Sequence, residues 1–402
     1  MKIFVCPEVE IIISKHCAVT KIRKDFTSHY LYVISNIYVR PFVDRSVEDS
    51  DYVSINMQLL RTLVSDLKAE SIINDLLYLN ILETDGKIIR GKKSRGYKII
   101  DKWKLTWKLQ DMKDHELAKK LTGKYDDIKD NVNKHGKGYQ IVNHWFQLLE
   151  IDCKKAKKYI SNRYNREHDM DRYNSAFCSI NLFEKEMKFI VVDDTSNRLH
   201  CNLTNIDAKL RKFLTIEDQK LAQVDIRNSQ PLFLGMLMRG NTMVESAELD
   251  RYLELVCSGQ FYEYMAKKVS CKHLNLKDAL IRKKFKKSIF SGVLFDVNRA
   301  KLSKYELLFQ EEFPTIFGVI RYLKALEYNA LAIMLQKLES KFIFDAVAKI
   351  DYEIGKGRVP LLTIHDSVVS TTENIYMVEQ IMEQLFFREY SLKPQLEVTE
   401  FK

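Results

Sequence analysis

Apolar residues recur at helical spacing near the start of the chain. Residues 53–82 contain two such patterns, Leu59, Leu60 and Leu63 on one face, then Ile72, Ile73, Leu76, Leu77 and Leu79 on another, and they predict two helices. Residues 86–100 follow, with glycines around short β-type runs, and they predict a hairpin. Two helices and a basic hairpin indicate a winged helix within residues 1–105, whose wing would contact phosphates through Arg90, Lys92, Lys93 and Arg95. Such a domain would dock either nucleic acid or another protein. The alternative is a small helical subdomain with a solvated charged loop.

Two strand patterns in the C-terminal half end beside carboxylates. Residues 221–225 form an apolar strand that ends at Asp225, and a helix is expected from about Pro231, capped by Ser229 or Gln230. Residues 361–364 and 368–371 are both strand-like and flank His365-Asp366-Ser367. Tight hairpins prefer Asn-Gly or Asp-Gly, so a His-Asp turn indicates a functional role.

A basic helix lies between these two segments. Residues 276–295 are predicted to be helical, and Arg282, Lys286 and Phe290 are four residues apart, so they share a face. Two cations and a ring suit a nucleoside triphosphate, with the cations on the phosphates and the ring on the base or sugar. An exposed basic face anchored in the core by Phe290 is the alternative.

Composition excludes several classes of protein. The 402 residues are 46% hydrophobic and 29% charged, with only 13 Gly and 6 Pro, which is typical of a globular chain. We expect no membrane span, because no long uncharged apolar run occurs, and no secretory signal, because Glu8 and Glu10 come early. The seven cysteines are scattered without a CxxC pair, which argues against a disulfide scaffold and fits a reducing cytoplasm.

Positive charge is concentrated in the middle of the chain. The formal net charge is +10, and residues 87–190 hold 25 Lys and Arg against 14 Asp and Glu. A basic middle predicts a nucleic-acid partner, although a well-solvated lysine-rich surface would give the same count. The charge distribution and the turn-forming residues together divide the chain into three regions, residues 1–105, a basic helical region 106–195 and residues 196–402. The candidate catalytic residues lie in the third region.

The three C-terminal segments, in this order, resemble motifs of family A DNA polymerases and the related single-subunit phage-type RNA polymerases. The matching residues are Asp225 with Ser229-Gln230, the Arg282-Lys286-Phe290 helix and the His365-Asp366-Ser367 hairpin. Upstream, residues 196–214 look like the segment in which a family Arg contacts the primer-template. The resemblance covers residues 196–402. It implies an α+β fold, a right-hand palm of antiparallel sheet with helical fingers and a thumb-like region at 106–195, preceded by the winged-helix-like domain.

The resemblance also implies a mechanism and its residues. Asp225 and Asp366, with the carbonyl of Ile226, would bind two Mg²⁺ ions, for which Mn²⁺ could substitute. Primer-template and nucleoside triphosphates would be the partners. Nucleotide contacts would come from Arg282, Lys286, Phe290 and Gln230, with Lys286 as proton donor to pyrophosphate, and nucleic-acid contacts from Arg198, His365 and Gln336.

Departures from the family pattern leave alternatives open. Three residues separate Asp225 from Ser229 where the DNA enzymes have one, and Leu294-Phe295 replaces their Tyr-Gly. His-Asp-Ser is typical of the RNA enzymes, whereas Phe290 is the DNA-enzyme form. We expect a small DNA polymerase, of a kind found in phage or mobile-element replication. A single-subunit RNA polymerase or primase-like enzyme, a metal-dependent nuclease, a template-independent nucleotide-adding enzyme and a non-enzymatic winged-helix replication protein are the alternatives.

Overall fold

The structure, a computed structural model, describes residues 1–20, 26–43, 52–55, 57–64, 69–87, 94–103, 107–165, 168–183, 187–269 and 278–402. In chain order its elements are β1 Lys2–Val5, α1 Pro7–Val19, α2 Thr27–Val43, β2 Val53–Ser54, α3 Met57–Val64, α4 Ala69–Tyr78, β3 Leu82–Thr84, β4 Gly96–Ile99, β5 Lys108–Asp111, α5 His115–Asn133, α6 Lys137–Leu148, β6 Leu149–Ile151, α7 Cys153–Arg163, α8 Met170–Asn181, β7 Ile190–Val192, β8 Leu199–Cys201, α9 Asn202–Asn205, β9 Leu214–Ile216, β10 Gln219–Ile226, α10 Ser229–Met238, α11 Ser246–Cys257, α12 Phe261–Lys268, α13 Ala279–Ile289, α14 Lys304–Glu312, α15 Pro314–Leu326, α16 Ala330–Ile354, β11 Leu362–Ile364, β12 Ser367–Thr371, α17 Ile375–Tyr390 and β13 Leu396–Glu400.

The chain is therefore α+β, as the sequence indicates. It divides into two compact units. Unit 1 comprises Met1–Lys134, Leu149–Val191 and His200–Thr215, and unit 2 comprises His135–Leu148, Val192–Leu199 and Ile216–Lys402. The three-part division at residues 105 and 195 stays a prediction. Within the described ranges, no helix combines the length and the apolar character that crossing a bilayer requires.

Unit 1 joins helices to two small sheets. β1 pairs antiparallel with β5, and a three-stranded sheet has the order β2–β4–β3. α3 and α4 occupy the two predicted helical stretches, and Ile72, Ile73 and Leu76 of α4 are buried at helical spacing. A stack of Tyr38 on Trp107, with ring centroids 4.0 Å apart, extends the same core.

The sheet of unit 2 is built around β10. This strand pairs antiparallel with β12, where Asp225 lies opposite Ser367, and with β13, where Asp225 lies opposite Glu397. β11 and β12 form the predicted hairpin, with Ile364 opposite Ser367 and a two-residue turn of His365 and Asp366 between them. The turn needs a positive φ of 53° at His365, a conformation in which histidine is enriched among residues other than glycine.

Two helical boundaries differ from those predicted. α10 begins at Ser229, two residues before Pro231, because Asn228 turns the chain with a φ of 59°. Pro231 is tolerated inside the first turn, since the first four N–H groups of a helix have no partner in the helix. The predicted helix at 276–295 is divided, because α13 ends at Ile289 and a π-helical turn, Phe290–Phe295, follows.

Close helix packing supports the sheet of unit 2. α16 is a 25-residue helix with a largely buried face, and α6 lies against it with the ring of Tyr139 stacked on Phe344, their centroids 3.5 Å apart. A Cβ atom on Gly138 would lie 2.1 Å from the carbonyl oxygen of Phe344. Only glycine therefore permits this approach of the two helices.

Candidate active site

A cavity of about 460 Å³ in unit 2 contains both predicted carboxylates. Asp225 comes from the end of β10 and Asp366 from the tip of the β11–β12 hairpin, 141 residues later in the sequence. Antiparallel pairing of β10 with β12 places both at the same edge of the sheet. The cavity is lined by Asp225, Ile226, Arg227, Asn228, Ser229, Gln230, Tyr262, Arg282, Lys286, Asp366 and Glu397.

The two aspartates share an acidic, partly dehydrated environment. Burial, followed by the charge of Asp366, raises the pKa of Asp225 to about 6, although the Ser367 hydroxyl donates to its Oδ1 at 2.8 Å. Burial also raises the pKa of Asp366, against a hydrogen bond from Ser229. Because adjacent buried carboxylates resist simultaneous ionisation, a cation placed between them would be strongly favoured.

Two cations from α13 lie in the same cavity. The guanidinium of Arg282 contacts Glu263 Oε1 at 2.5 Å. Nζ of Lys286 lies 4.9 Å from the ring centroid of Tyr262. Burial, followed by the charge of Arg282, lowers the pKa of Lys286. The cavity therefore holds cations and carboxylates together, as a site for a metal-bound polyphosphate requires.

A buried glutamate joins two further predicted residues. Glu339 of α16 is 1% exposed, and it accepts hydrogen bonds from Arg198 and from Nε2 of Gln230, each at 2.5 Å. Burial raises the pKa of Glu339 to about 7, against the opposing charge of Arg198. Gln230 is thus held at the head of α10, and the Arg198 guanidinium is tied to the interior of unit 2.

The remaining predicted residues are placed less centrally. His365 is exposed at the hairpin turn, and Gln336 is half-buried on α16. Neither is among the residues that line the cavity. Arg95 is exposed just before β4. Arg90, Lys92, Lys93 and the side chain of Phe290 lie outside the described residues.

Several residues of the site had no signal in the sequence. Glu397 reaches the cavity only through the register of β13 on β10, and Glu263 and Tyr262 come from α12. Asn228 is 5% exposed, and its side chain has no hydrogen-bond partner among the described residues. Asn228 is the exception among these residues, because an Asn between a strand pattern and a helix pattern could have indicated the left-handed turn that Asn adopts readily.

A metal ion would have to be held by the pair of aspartates. In the described part of the chain, no group of three or more His, Cys, Asp or Glu side chains is arranged to hold an ion. The carboxylates of Asp225 and Asp366 and the carbonyl of Ile226 are hard oxygen donors beside one cavity. Such donors fit Mg²⁺, which accepts one or two protein carboxylates and keeps several waters.

Comparisons with known proteins give a distant structural likeness. No model of a known protein family matches the sequence, and no curated protein matches it either. Among solved structures, the chain is similar to the POL domain of Pol1 from M. smegmatis in complex with DNA primer-template and dNTP. The identity is 12% and the TM-score 0.41, over 70% of this chain. The match spans 65% of the length of that POL-domain chain.

Proposed function

We propose that unit 2 is a nucleotidyltransferase that extends a nucleic-acid primer along a template, in the manner of a small DNA polymerase. The observation that carries the proposal is the convergence of Asp225 and Asp366 with Arg282 and Lys286 around one cavity. These four residues come from three separate sequence motifs. In this proposal β10, β12 and β13 form the palm, α13 belongs to the fingers, and the basic region at 106–195 supplies the thumb.

Asp225, Asp366 and the carbonyl of Ile226 would hold the divalent ions, Mg²⁺ or Mn²⁺. When bound, two such ions lower the pKa of the primer 3′-hydroxyl and offset the charge of the triphosphate and the leaving pyrophosphate. Ser367 orients Asp225 by donating to its Oδ1. Ser229 does the same for Asp366.

The nucleotide would enter against α13. Arg282 and Lys286 bind its phosphates, and the lowered pKa of Lys286 suits proton donation to the leaving pyrophosphate. Gln230 lies beside this position, held by Glu339. Phe290 would pack on the base or sugar.

Three residues would contact the primer-template. Arg198 is held by Glu339, and its side chain is 23% exposed. His365, exposed at the hairpin turn, would contact a primer phosphate beside Asp366. Gln336 would reach nucleic acid from α16, one turn before Glu339.

Primer extension tests this proposal directly. A labelled primer on one defined template is incubated with Mg²⁺ and with dNTPs or NTPs in separate reactions. We expect extension with dNTPs by the wild type and none by Asp366→Asn, while the variant retains its affinity for the primer-template. Asp345→Asn, which neutralises an exposed carboxylate on α16, is the matched control. Full activity of Asp366→Asn would refute the mechanism.

The same reactions separate the alternatives. Extension with NTPs alone would indicate an RNA polymerase or primase-like enzyme. Product whose sequence is independent of the template would indicate a nucleotide-adding enzyme, and shortening of the primer a nuclease. Absence of any reaction, with DNA still bound, would indicate a non-enzymatic replication protein.

We also propose, separately, that residues 1–105 form a winged helix. The order α2, β2, α3, α4, β3, β4 and the sheet order β2–β4–β3 support it. The β3–β4 connection would be the wing, which contains Arg90, Lys92, Lys93 and Arg95. Neutralising Arg95 should weaken duplex binding and reduce its salt dependence. A winged helix joined to a small polymerase fits a phage or mobile-element replication protein.

A further inference from the structure

We propose that a second cavity, within unit 1, binds the phosphate and base of a nucleotide, either as a free nucleoside triphosphate or as part of a single strand. This cavity of about 870 Å³ is lined by residues from α2, β4, α8, the end of α7 and the segment 205–211. Its volume is in the range of ligand sites, roughly 300–1,000 Å³. The proposal is independent of nucleotidyl transfer in unit 2.

Cations outnumber carboxylates around this cavity. The charged residues in its lining are Lys98, Arg163, Arg172, Lys209 and Arg211, against Asp171 and Asp207. Asp207 already accepts the backbone N–H of Lys209 at 2.8 Å, at the start of a short 3₁₀ helix. Lys98 already pairs with Glu83 and Asp101, and Arg172 with Asp169, so Arg163, Lys209 and Arg211 carry the surplus. The surplus of positive charge favours an anion, and a phosphate suits the arginine guanidinium groups geometrically.

A buried hydroxyl in the lining lacks a partner. Tyr38 is 5% exposed, and its Oη has no hydrogen-bond partner among the described residues. The ring is fixed between Trp107, stacked 4.0 Å away, and Phe42, whose ring centroid is 5.3 Å away. Tyr38 is one of the residues that line the cavity. Because a buried donor without a partner costs free energy, a phosphate oxygen that reaches this hydroxyl would be stabilised by it.

Aromatic side chains in the lining favour a nucleotide over a bare phosphate. Phe42 and Tyr164 are half-buried and line the same cavity. The guanidinium of Arg163 lies 5.8 Å from the ring centroid of Tyr164. A base could stack on Tyr164 while the adjacent cations bind its phosphate, which is the combination that nucleic-acid-binding sites use.

Titration calorimetry on the full-length protein tests the site. The probes are ATP, an oligothymidylate of eight nucleotides and inorganic phosphate, without divalent ions. Every measurement is repeated in an Arg282→Ala background, which weakens the nucleotide site proposed for unit 2. We expect Tyr38→Phe and Lys209→Gln each to raise the Kd for ATP or the oligonucleotide about 5- to 10-fold, equally in both backgrounds. If unit 2 proves not to bind nucleotides, the expected increases in Kd for Tyr38→Phe and Lys209→Gln stay the same.

Matched variants keep the result specific. Lys212→Gln removes an exposed lysine three residues from Lys209 and outside the lining, and it should change the Kd less than twofold. Tyr38→Phe should have a melting temperature no lower than that of the wild type, because it removes only the unpartnered hydroxyl.

The binding measurements also distinguish the two sources of the nucleotide. ATP binding alone would identify a free-nucleotide site, and oligonucleotide binding alone would identify a strand site. Equal losses in Lys209→Gln and Lys212→Gln, an unchanged Kd in Tyr38→Phe, or binding of phosphate as tight as that of ATP would overturn the proposal.

Discussion

Replacing Glu339 with Gln removes a charge that unit 2 buries almost completely. Burial raises the pKa of this carboxyl from 4.5 to about 7, and at ~1.4 kcal/mol per pKa unit this shift corresponds to about 3 kcal/mol. The folded state binds the proton more tightly than the unfolded state. Its contribution to the free energy of unfolding is therefore fully present below about pH 4.5 and is lost as the pH rises through 7.

The glutamine variant should lack this dependence, because its amide does not titrate but still offers an oxygen to Arg198 or Gln230. We expect the stability of the wild type relative to Glu339→Gln to fall by about 3 kcal/mol between roughly pH 4.5 and pH 8. Hydrogen exchange of α16 in increasing urea reports the stability of unit 2. Glu339→Ala should be less stable than Glu339→Gln at every pH, since it removes both hydrogen-bond acceptors.

Asp345→Asn is the control for loss of charge on the same helix. Its carboxylate is 55% exposed and pairs with Lys341 at 2.6 Å, and exposed pairs contribute at most about 1 kcal/mol. If the wild type and Glu339→Gln change with pH in parallel, the buried-carboxylate reasoning fails.

Three other predictions concern unit 2. Ser367→Ala should lower the rate of primer extension about 10-fold, with little change in the KM for nucleotide, because Asp225 loses the hydroxyl that orients it; steady-state kinetics against Thr363→Ala, a buried control on β11, would expose a merely structural effect. Gly138→Ala should destabilise unit 2 by about 2–4 kcal/mol, because its Cβ would collide with Phe344; an unchanged melting temperature would contradict this. The Mg²⁺ concentration that gives half-maximal activity should fall as the pH rises through about 6, the pKa of Asp225 without metal, because the proton competes with the cation for this carboxylate; a half-maximal concentration that is constant between about pH 5 and 7 would count against Asp225 as a ligand.

The strand ends and the basic helix were predictable because their signals are local. Apolar runs that stop at Asp225 and Asp366 mark strand ends, and fourfold spacing places Arg282 and Lys286 on one helix face. Each pattern is complete within about a dozen residues. The structure adds that these residues, predicted from separate motifs, line one cavity.

Other parts of the site depend on distant pairings that no local pattern encodes. Glu397 reaches the cavity through the register of β13, and Glu339 meets Arg198 across 141 residues of sequence. The start of α10 was predicted two residues late, because Pro231 is a common first helical residue, whereas Asn228 makes the turn here. The roles assigned to these residues stay predictions.

The discontinuity of unit 2 limits how the chain can be divided. Its 216–402 segment lacks both the α6 helix, which fits against α16 through Gly138, and Arg198, the counter-ion of Glu339. A fragment that starts at residue 216 would expose the face of α16 that α6 covers, including Phe344, and would leave the Glu339 carboxylate without its counter-ion. Expression of the carboxyl-terminal half alone, or its transfer to another protein, should therefore yield aggregates. Loss of activity in such a fragment would be explained by the missing α6 helix and would not test the role of the aspartates.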